Sequence, residues 1–290
     1  MIRKAVIPAA GFGTRFLPAT KSQPKEMLPI VDTPVIQYVV EEAVQAGIAD
    51  LLMIIGKGKR SIEEHFDRSF QLETQLAAQG KLTELESMRR ISELADIHFV
   101  WQREMRGLGD AVYCARHHVN DEPFAVLLGD TVIDAVKAAA AQMVELFEEL
   151  HEPVILLEPV EPRKVSLYGV IDGAEIRPGV YRIRDFVEKP EPRRAPSNLA
   201  IAGRYLLTPD IFPCLEKTAP GPGGEIQLTD ALRALVRSRP MYGLKLDGRR
   251  CDIGNKEGFI RTNIEFALKR DDMAEDLRQY IKQLAEQWRE

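Results

Sequence analysis

The chain has 290 residues, a formal net charge of −5 and an apolar fraction of 45%, which is the composition of an ordinary globular protein. The negative charge argues against a general nucleic-acid surface, and no apolar run approaches the roughly 20 residues that cross a bilayer. The three cysteines show neither metal-ligand spacing nor a disulfide framework, and the N-terminus lacks a signal-peptide pattern. We therefore expect a cytoplasmic protein that binds neither nucleic acid nor membrane.

The first half of the chain alternates strand and helix patterns. A short apolar strand is predicted over residues 4–8, with Pro8 at its end because proline removes a donor from the ladder. Thr33 is predicted to cap a helix that has Pro34 at its first position and apolar residues at helical spacing. The other elements predicted in this half are strands over 51–55, 97–101, 124–128 and 154–158, and helices near 59–67, 71–95, 111–118 and 134–150.

From residue 160 the pattern changes to short alternating runs with more proline and glycine. These predict antiparallel or mixed strands over 168–171, 181–187 and 200–207, a strand over 241–246, and helices near 208–217, 225–237, 256–270 and 272–289. The whole order predicts an α/β fold, Rossmann-like, with a mixed but mostly parallel sheet flanked by helices and a small antiparallel subsheet. We expect one domain over residues 1–290, built from halves 1–135 and 136–270 and a C-terminal helix over 271–290.

Residues 8–30, which follow the first predicted strand, combine glycine with positive charge and read PAAGFGTRFLPATKSQPKEMLPI. Gly11 and Gly13 allow a sharp bend, and backbone N–H groups in such a loop form an anion site. Arg15 and Lys25 add positive charge for phosphate oxygens. A dinucleotide-binding fingerprint would need glycine where Phe16 stands, and the spacing of a P-loop is missing too. The stretch therefore predicts a loop built around a nucleoside triphosphate.

Asp130 follows a buried strand at the end where open α/β sheets bind ligands. A carboxylate there suits Mg²⁺, which takes oxygen ligands together with substrate phosphates. Position alone leaves a turn or capping aspartate as the alternative.

The string GFGTRFLPATK followed by PKEMLP resembles the signature of the sugar-nucleotide pyrophosphorylase family, Gly-x-Gly-Thr-Arg followed by Pro-Lys. It is most similar to the uridylyltransferase branch, since thymidylyltransferases usually carry Gly-Gly-Ser-Gly-Thr-Arg and Lys-Gln-Leu-Leu-Pro there. The resemblance extends over nearly the whole chain. It implies the nucleotide-diphospho-sugar transferase fold, with residues 1–135 binding the nucleotide and 136–270 the sugar, and a homodimer or homotetramer. The implied reaction is UTP plus glucose 1-phosphate giving UDP-glucose plus pyrophosphate, with Mg²⁺ as cofactor.

The resemblance also implies roles for individual residues. The nucleotide is expected to contact Ala10, Gly11, Gly13, Thr14, Arg15, Lys25, Glu26, Gln102, Gly107 and Asp130. The sugar is expected to contact Gly169, Glu188, Lys189 and Glu225, and Mg²⁺ is expected to bind Asp130 and Asp252. Arg15, Lys25 and Lys189 are the expected catalytic residues, the first two on the leaving pyrophosphate and the third on the attacking phosphate. The Gln102 amide offers a donor and an acceptor that match the edge of uracil.

Two alternatives stay open from the sequence. The chain could be a thymidylyltransferase or another sugar-1-phosphate nucleotidyltransferase. It could also be a non-catalytic regulatory relative that only binds nucleotide, although the joint presence of Arg15, Lys25, Asp130 and Lys189 argues against that.

Overall fold

The computed structural model describes residues 1–251 and 253–288, except for the side chain of Pro222. The strands are β1 (Lys4–Ala9), β2 (Pro29–Ile30), β3 (Thr33–Pro34), β4 (Asp50–Ile55), β5 (Asp96–Trp101), β6 (Phe124–Leu127), β7 (Val132–Asp134), β8 (Val154–Pro159), β9 (Gly169–Arg177), β10 (Val180–Glu188), β11 (Leu199–Leu207), β12 (Tyr242–Lys245) and β13 (Arg249–Cys251). The helices are α1 (Val35–Gln45), α2 (Arg60–Phe66), α3 (Phe70–Ala78), α4 (Leu82–Ser92), α5 (Leu108–Tyr113), α6 (Arg116–Val119), α7 (Ala139–Leu150), α8 (Ile211–Lys217), α9 (Leu228–Leu235), α10 (Lys256–Ala267) and α11 (Ala274–Gln287).

Nine strands form one sheet in the order β5-β4-β1-β6-β11-β8-β12-β10-β9. The first four strands of this order are parallel, as is the pair β8–β12. Strand β11 is antiparallel to both of its neighbours, and β10 is antiparallel to β12 and β9. The mixed sheet of the prediction is confirmed, but the expectation that it is mostly parallel is wrong, because only four of the eight neighbouring strand pairs in this sheet are parallel. The antiparallel strands of the second half belong to the same sheet, and the β9–β10 hairpin forms one edge of it.

Helices cover both faces of the sheet, because β1, β4 and β6 are apolar on both sides, as expected of buried parallel strands. Apolar residues of α1 and α7 pack on one face, and those of α5, α8 and α9 pack on the other. None of the described helices is long and apolar enough to cross a membrane.

Two small sheets bring distant segments of the chain together. Strand β2 pairs with β3, and β13 pairs with β7 so that Cys251 lies opposite Val132. The second pairing places the segment that ends at residue 251 beside the chain that follows Asp130. No sequence pattern indicated it.

Three local predictions need correction. Pro8 lies inside β1, one residue before its end, and is opposite Ile54 of β4. The pairing of β1 with β6 covers only Lys4 to Val6, so the missing N–H of Pro8 removes no hydrogen bond between these two strands. Thr33 does not cap α1, because the residue before the helix is Pro34 and the Thr33 hydroxyl donates to Asp32 instead. The helix predicted near 111–118 is divided into α5 and α6. The helices predicted near 134–150 and 225–237 are shorter than expected and correspond to α7 and α9. The segment 71–95, predicted to be helical, forms the two helices α3 and α4, which are separated around Gly80.

Candidate active site

The loop after β1 surrounds the first part of the site. It contains only single 3-10 turns, at Thr14–Phe16, Ala19–Lys21 and Lys25–Met27, so no regular helix follows the glycines. Gly13 has φ of 66°, and a Cβ atom there would lie 3.0 Å from Cβ of Lys25. Glycine is therefore required at this position both for its backbone conformation and for the close approach of the loop's two ends.

The loop encloses a cavity of about 300 Å³. Its lining combines loop residues, the end of β6 and the start of α10; the residues are Gly11, Phe12, Gly13, Thr14, Arg15, Phe16, Lys25, Leu28, Val35, Asp130, Ile253, Gly254 and Phe259. The predicted phosphate-binding residues Gly11, Gly13, Thr14, Arg15 and Lys25 thus lie in one wall with Asp130.

Lys25 and Asp130 form an ion pair inside this cavity. Burial opposes ionisation of Asp130, but the charge of Lys25 and its hydrogen bond outweigh burial and hold the pKa of Asp130 below its usual value. Burial by itself would lower the pKa of Lys25. The attraction of Asp130 and Glu26 is stronger, so the pKa of Lys25 is raised above its usual value. Both groups therefore stay charged, and an anion and a cation entering the cavity would each find an ionised partner.

A buried arginine stabilises the segment of chain around Asp130. Arg204 of β11 is 1% exposed and donates to the carbonyl of Thr131 at 2.8 Å. The same guanidinium binds Glu42 of α1 through two hydrogen bonds, of 2.9 and 2.6 Å. Because this pair joins the sheet, α1 and the turn after β6, it fixes the segment on which Asp130 sits.

Glu26 points away from the cavity. Its side chain is 1% exposed and binds the ammonium of Lys59 at 2.7 Å. Ala10, the residue directly after β1, is also buried. Neither residue belongs to the cavity lining described above, so a direct contact of either with the nucleotide stays a prediction.

The residues predicted to read the base lie at the end of β5 and the start of α5. The Gln102 side chain is buried, and its amide nitrogen donates to Asp110 at 2.8 Å and to the Gly107 carbonyl at 3.2 Å. An ionised carboxylate can only accept, so the Gln102 amide must direct its nitrogen, and not its oxygen, toward Asp110. Gly107 has φ of 95°, and a Cβ atom there would lie 2.8 Å from the carbonyl oxygen of Ile226. Glycine is needed at 107 for packing within the chain itself.

A second cluster lies where β9 begins and β10 ends. Gly169 pairs with Glu188 across these strands, and a Cβ atom on Gly169 would approach the Glu188 carboxylate at 3.1 Å. The Thr229 hydroxyl donates to Glu188 at 2.7 Å, and the ammonium of Lys189 lies 3.3 Å from the same carboxylate. The structure thus brings together three of the four residues predicted to bind the sugar.

Lys189 has φ of 43°, in the left-handed region that side chains rarely adopt. Its N–H donates to the Tyr168 carbonyl at 3.0 Å, which helps to hold this conformation. A non-glycine residue kept in a strained conformation at the end of a strand is a feature typical of functional sites.

Glu225 and Asp252 complete the set of predicted residues. Glu225 is exposed and packs beside Gly107, because the Ile226 N–H donates to the Arg106 carbonyl at 2.6 Å. The predicted sugar residue is therefore next to the predicted base loop. Asp252 lies outside the described residues.

The comparisons with known proteins follow this geometry. Residues 4–268 match the model of the nucleotidyl transferase family. The chain belongs to that family. Among curated relatives, UTP–glucose-1-phosphate uridylyltransferase 2 of Staphylococcus saprophyticus is 50% identical over 283 residues, which are 98% of each chain. The resemblance inferred from the loop motif is thereby confirmed.

Solved structures of family members agree with the sequence match. A UDP-glucose pyrophosphorylase complexed with UDP-glucose superposes with a TM-score of 0.86 at 44% identity, covering 93% of this chain and 100% of the other. A UTP-bound enzyme of the same type from Acinetobacter baumannii superposes with a TM-score of 0.91 at 38% identity, covering 98% and 100%.

Several residues of this nucleotidyl transferase site were not singled out from the sequence. Among them are Lys59 and the pair Glu42–Arg204, which stabilise the surrounding chain, and Phe259, whose ring centroid lies 5.6 Å from that of Phe16 in the cavity lining. One of them had a usable signal. Lys59 follows β4, and β4 and β1 are adjacent parallel strands whose carboxyl ends share one edge of the sheet. For Arg204 and Glu42 no such signal exists, because they are distant in sequence.

Proposed function

We propose that the chain transfers a uridylyl group from UTP to glucose 1-phosphate, releasing pyrophosphate and forming UDP-glucose. The observation that carries this proposal is the charged lining of the cavity, which contains the glycine loop, Arg15 and the ion pair of Lys25 with Asp130. The uridylyltransferase and UDP-glucose pyrophosphorylase relatives, similar over nearly their full length, support UTP and glucose 1-phosphate as the substrates.

The reaction requires positioning and charge neutralisation rather than a general base. A phosphate oxygen of glucose 1-phosphate attacks the α-phosphorus of UTP, and the bond to the bridging oxygen of the β-phosphate breaks. Pyrophosphate leaves with that electron pair, and the attacking oxygen is already anionic near neutral pH. Arg15 and Lys25 hold the leaving pyrophosphate, and Lys189 orients the attacking phosphate.

Lys25 has to exchange partners during binding. In the structure its ammonium is neutralised by Asp130. Phosphate oxygens of UTP provide an alternative anion for Lys25, and that exchange frees the Asp130 carboxylate. Binding of the nucleotide and of a cation at Asp130 would therefore favour one another.

Mg²⁺ fits this arrangement as the cation. It usually binds through one or two carboxylates together with substrate phosphates, and Asp130 is such a carboxylate in the cavity wall. The part of the chain that the structure describes contains no group of three or more potential ligands, so it offers no all-protein cage. Asp252 is the second proposed ligand; its neighbour Cys251 pairs with Val132, two residues beyond Asp130. When bound, the ion neutralises charge on the UTP phosphates.

Gln102 is the proposed reader of the base. Both of its amide hydrogens have acceptors in Asp110 and Gly107, which leaves its oxygen to accept from uracil N3–H. Glu188 is proposed to accept from sugar hydroxyls, held by Thr229. We further propose that the enzyme works in the cytoplasm as a homodimer or homotetramer.

Pyrophosphate release with glucose 1-phosphate tests the function directly, with UTP and dTTP compared at equal concentration. We expect UTP to be the preferred substrate and the reaction to require Mg²⁺. Preference for dTTP would favour the thymidylyltransferase alternative. No release with either nucleotide, in a chain that still binds UTP, would favour the regulatory alternative.

A further inference from the structure

Lys59 is a buried lysine outside the cavity wall. It lies between β4 and α2, directly before Arg60, and its side chain is 6% exposed. Burying an ammonium group is unfavourable unless it is paired and hydrogen-bonded, and both conditions are met here. Its nitrogen donates to the Gly11 carbonyl at 2.7 Å and to the Glu26 carboxylate at 2.7 Å.

These two acceptors belong to opposite ends of the glycine loop. Gly11 stands at the loop's first bend and lines the cavity, whereas Glu26 lies in its last turn, directly after Lys25. One ammonium group therefore ties the two ends of the loop together and attaches both to the carboxyl end of β4.

The bond to Gly11 also sets the direction of an N–H group. In a planar trans peptide the C=O and the next N–H point in opposite directions. Because the Gly11 carbonyl points at Lys59, the Phe12 N–H points away from Lys59, and both Gly11 and Phe12 line the cavity whereas Lys59 does not. Within residues 1–251 and 253–288 this N–H donates to no backbone carbonyl. It is a donor left over for a ligand.

The buried Glu26 carboxylate depends on Lys59 as its ion-pair partner. It is 1% exposed, and within the described part of the chain one of its oxygens, Oε1, has no hydrogen-bond partner. Burial raises the pKa of Glu26, and the charges of Lys59 and Lys25 act against that shift. Loss of Lys59 would leave a buried carboxyl group with little compensation, and such a loss disturbs folding as well as function.

We propose that Lys59 is a positioning residue for the nucleotide phosphates: by holding the Gly11 carbonyl, it aims the Phe12 N–H of the glycine loop at a phosphate oxygen of UTP. This role rests on the proposed function, since it assumes that UTP occupies the cavity. Its charge balance with Glu26 is a separate, structural contribution.

The two contributions are separated by three variants: Lys59→Met, Glu26→Gln and the combination of both. Lys57→Met is the matched control, because Lys57 is an exposed lysine two residues earlier. For each protein we would measure the thermal midpoint, the Kd of UTP by calorimetry, and the KM of glucose 1-phosphate.

We expect Lys59→Met to lower the thermal midpoint and to raise the Kd of UTP at least about tenfold, with the KM of glucose 1-phosphate within about twofold. The double variant removes both buried charges, so it should recover much of the thermal stability and still bind UTP weakly. The control should match the wild type in all three measurements. If Lys59→Met does not fold, the double variant is compared with Glu26→Gln, which keeps Lys59 on Gly11, and we expect the double variant to bind UTP at least about tenfold more weakly than Glu26→Gln.

Recovery of wild-type UTP binding in the double variant would overturn the proposal, because Lys59 would then only balance the charge of Glu26. An unchanged Kd in Lys59→Met, or an equal rise in both substrate constants, would overturn it as well. A wild-type chain that fails to bind UTP would instead overturn the proposed function on which the role depends.

Discussion

Two short segments of this chain place a lysine beside a glutamate and a proline: Pro24-Lys25-Glu26 in the glycine loop and Glu188-Lys189-Pro190 after β10. In the first, the glutamate turns inward to Lys59, and the lysine pairs with Asp130 from another strand end. In the second, Glu188 accepts a hydrogen bond from Thr229 and pairs with Lys189, the next residue in the chain.

The difference shows two ways of presenting a lysine to a phosphate. Lys25 is half-buried and its position is set by surrounding charges, so changing a charge should alter it strongly. Lys189 has a side chain that is 55% exposed, and its position is set by a strained backbone held by one hydrogen bond. Charge substitutions should therefore have larger effects in the first segment, and backbone substitutions should matter only in the second.

The largest effect is expected for Asp130→Asn. Neutralising the carboxylate removes the partner of Lys25 and the proposed cation ligand, so turnover should fall about 100- to 1,000-fold with little loss of thermal stability. Steady-state pyrophosphate release across a Mg²⁺ titration measures this. The control is Asp134→Asn, whose carboxylate pairs with Lys269 instead. Near-wild-type turnover at ordinary Mg²⁺ would remove Asp130 from the metal site.

Lys25→Met should lower kcat/KM for UTP about 100-fold, because the leaving pyrophosphate loses a preorganised positive charge. The exposed Lys21, in the same loop, provides the control variant Lys21→Met. Equal losses in the two variants would show that general loop charge, and not the Lys25–Asp130 exchange, drives nucleotide binding.

Lys189→Met should lower kcat/KM for glucose 1-phosphate about tenfold or more and leave the Kd of UTP nearly unchanged, since one charge-assisted phosphate contact contributes about 1.5–3 kcal/mol. Kinetics with each substrate varied in turn, together with UTP calorimetry, measure the split. A raised Kd for UTP with normal glucose 1-phosphate kinetics would mean that the two halves of the site are assigned the wrong way round.

Gln102→Ala should lower the preference for UTP over CTP about tenfold, because cytosine has no N3–H for the Gln102 oxygen to accept. Asp110→Asn is the companion variant: an amide at 110 no longer forces the Gln102 nitrogen toward it, so the preference should weaken here too. The ratio of kcat/KM for the two nucleotides decides. An unchanged ratio in Gln102→Ala would exclude this side chain from the base site.

The smallest effect concerns the backbone of Lys189. Glycine adopts positive φ without strain, so Lys189→Gly should be more stable than Lys189→Ala by about 1 kcal/mol, although both lack the ammonium group. Denaturant unfolding of the two variants gives the difference. Equal stability would show that the left-handed conformation at Lys189 stores no strain.

The sequence by itself determined the family, the α/β class and the glycine loop, because these depend on local patterns: apolar runs of strand length, glycines at a bend, and charges at fixed spacing. It also placed Asp130 at a strand end, since parallel strands direct their carboxyl ends to a common edge.

Only the tertiary structure decided which of two adjacent charged residues faces the cavity, as for Lys25 and Glu26. It alone joined Lys59 to Gly11, Arg204 to Glu42, and β13 to β7. Such pairs are distant in sequence, and a lysine or glutamate carries no local sign of burial. Their charges become informative only when the fold removes water from around them, since an ionised group is buried only where the packed chain supplies its partner.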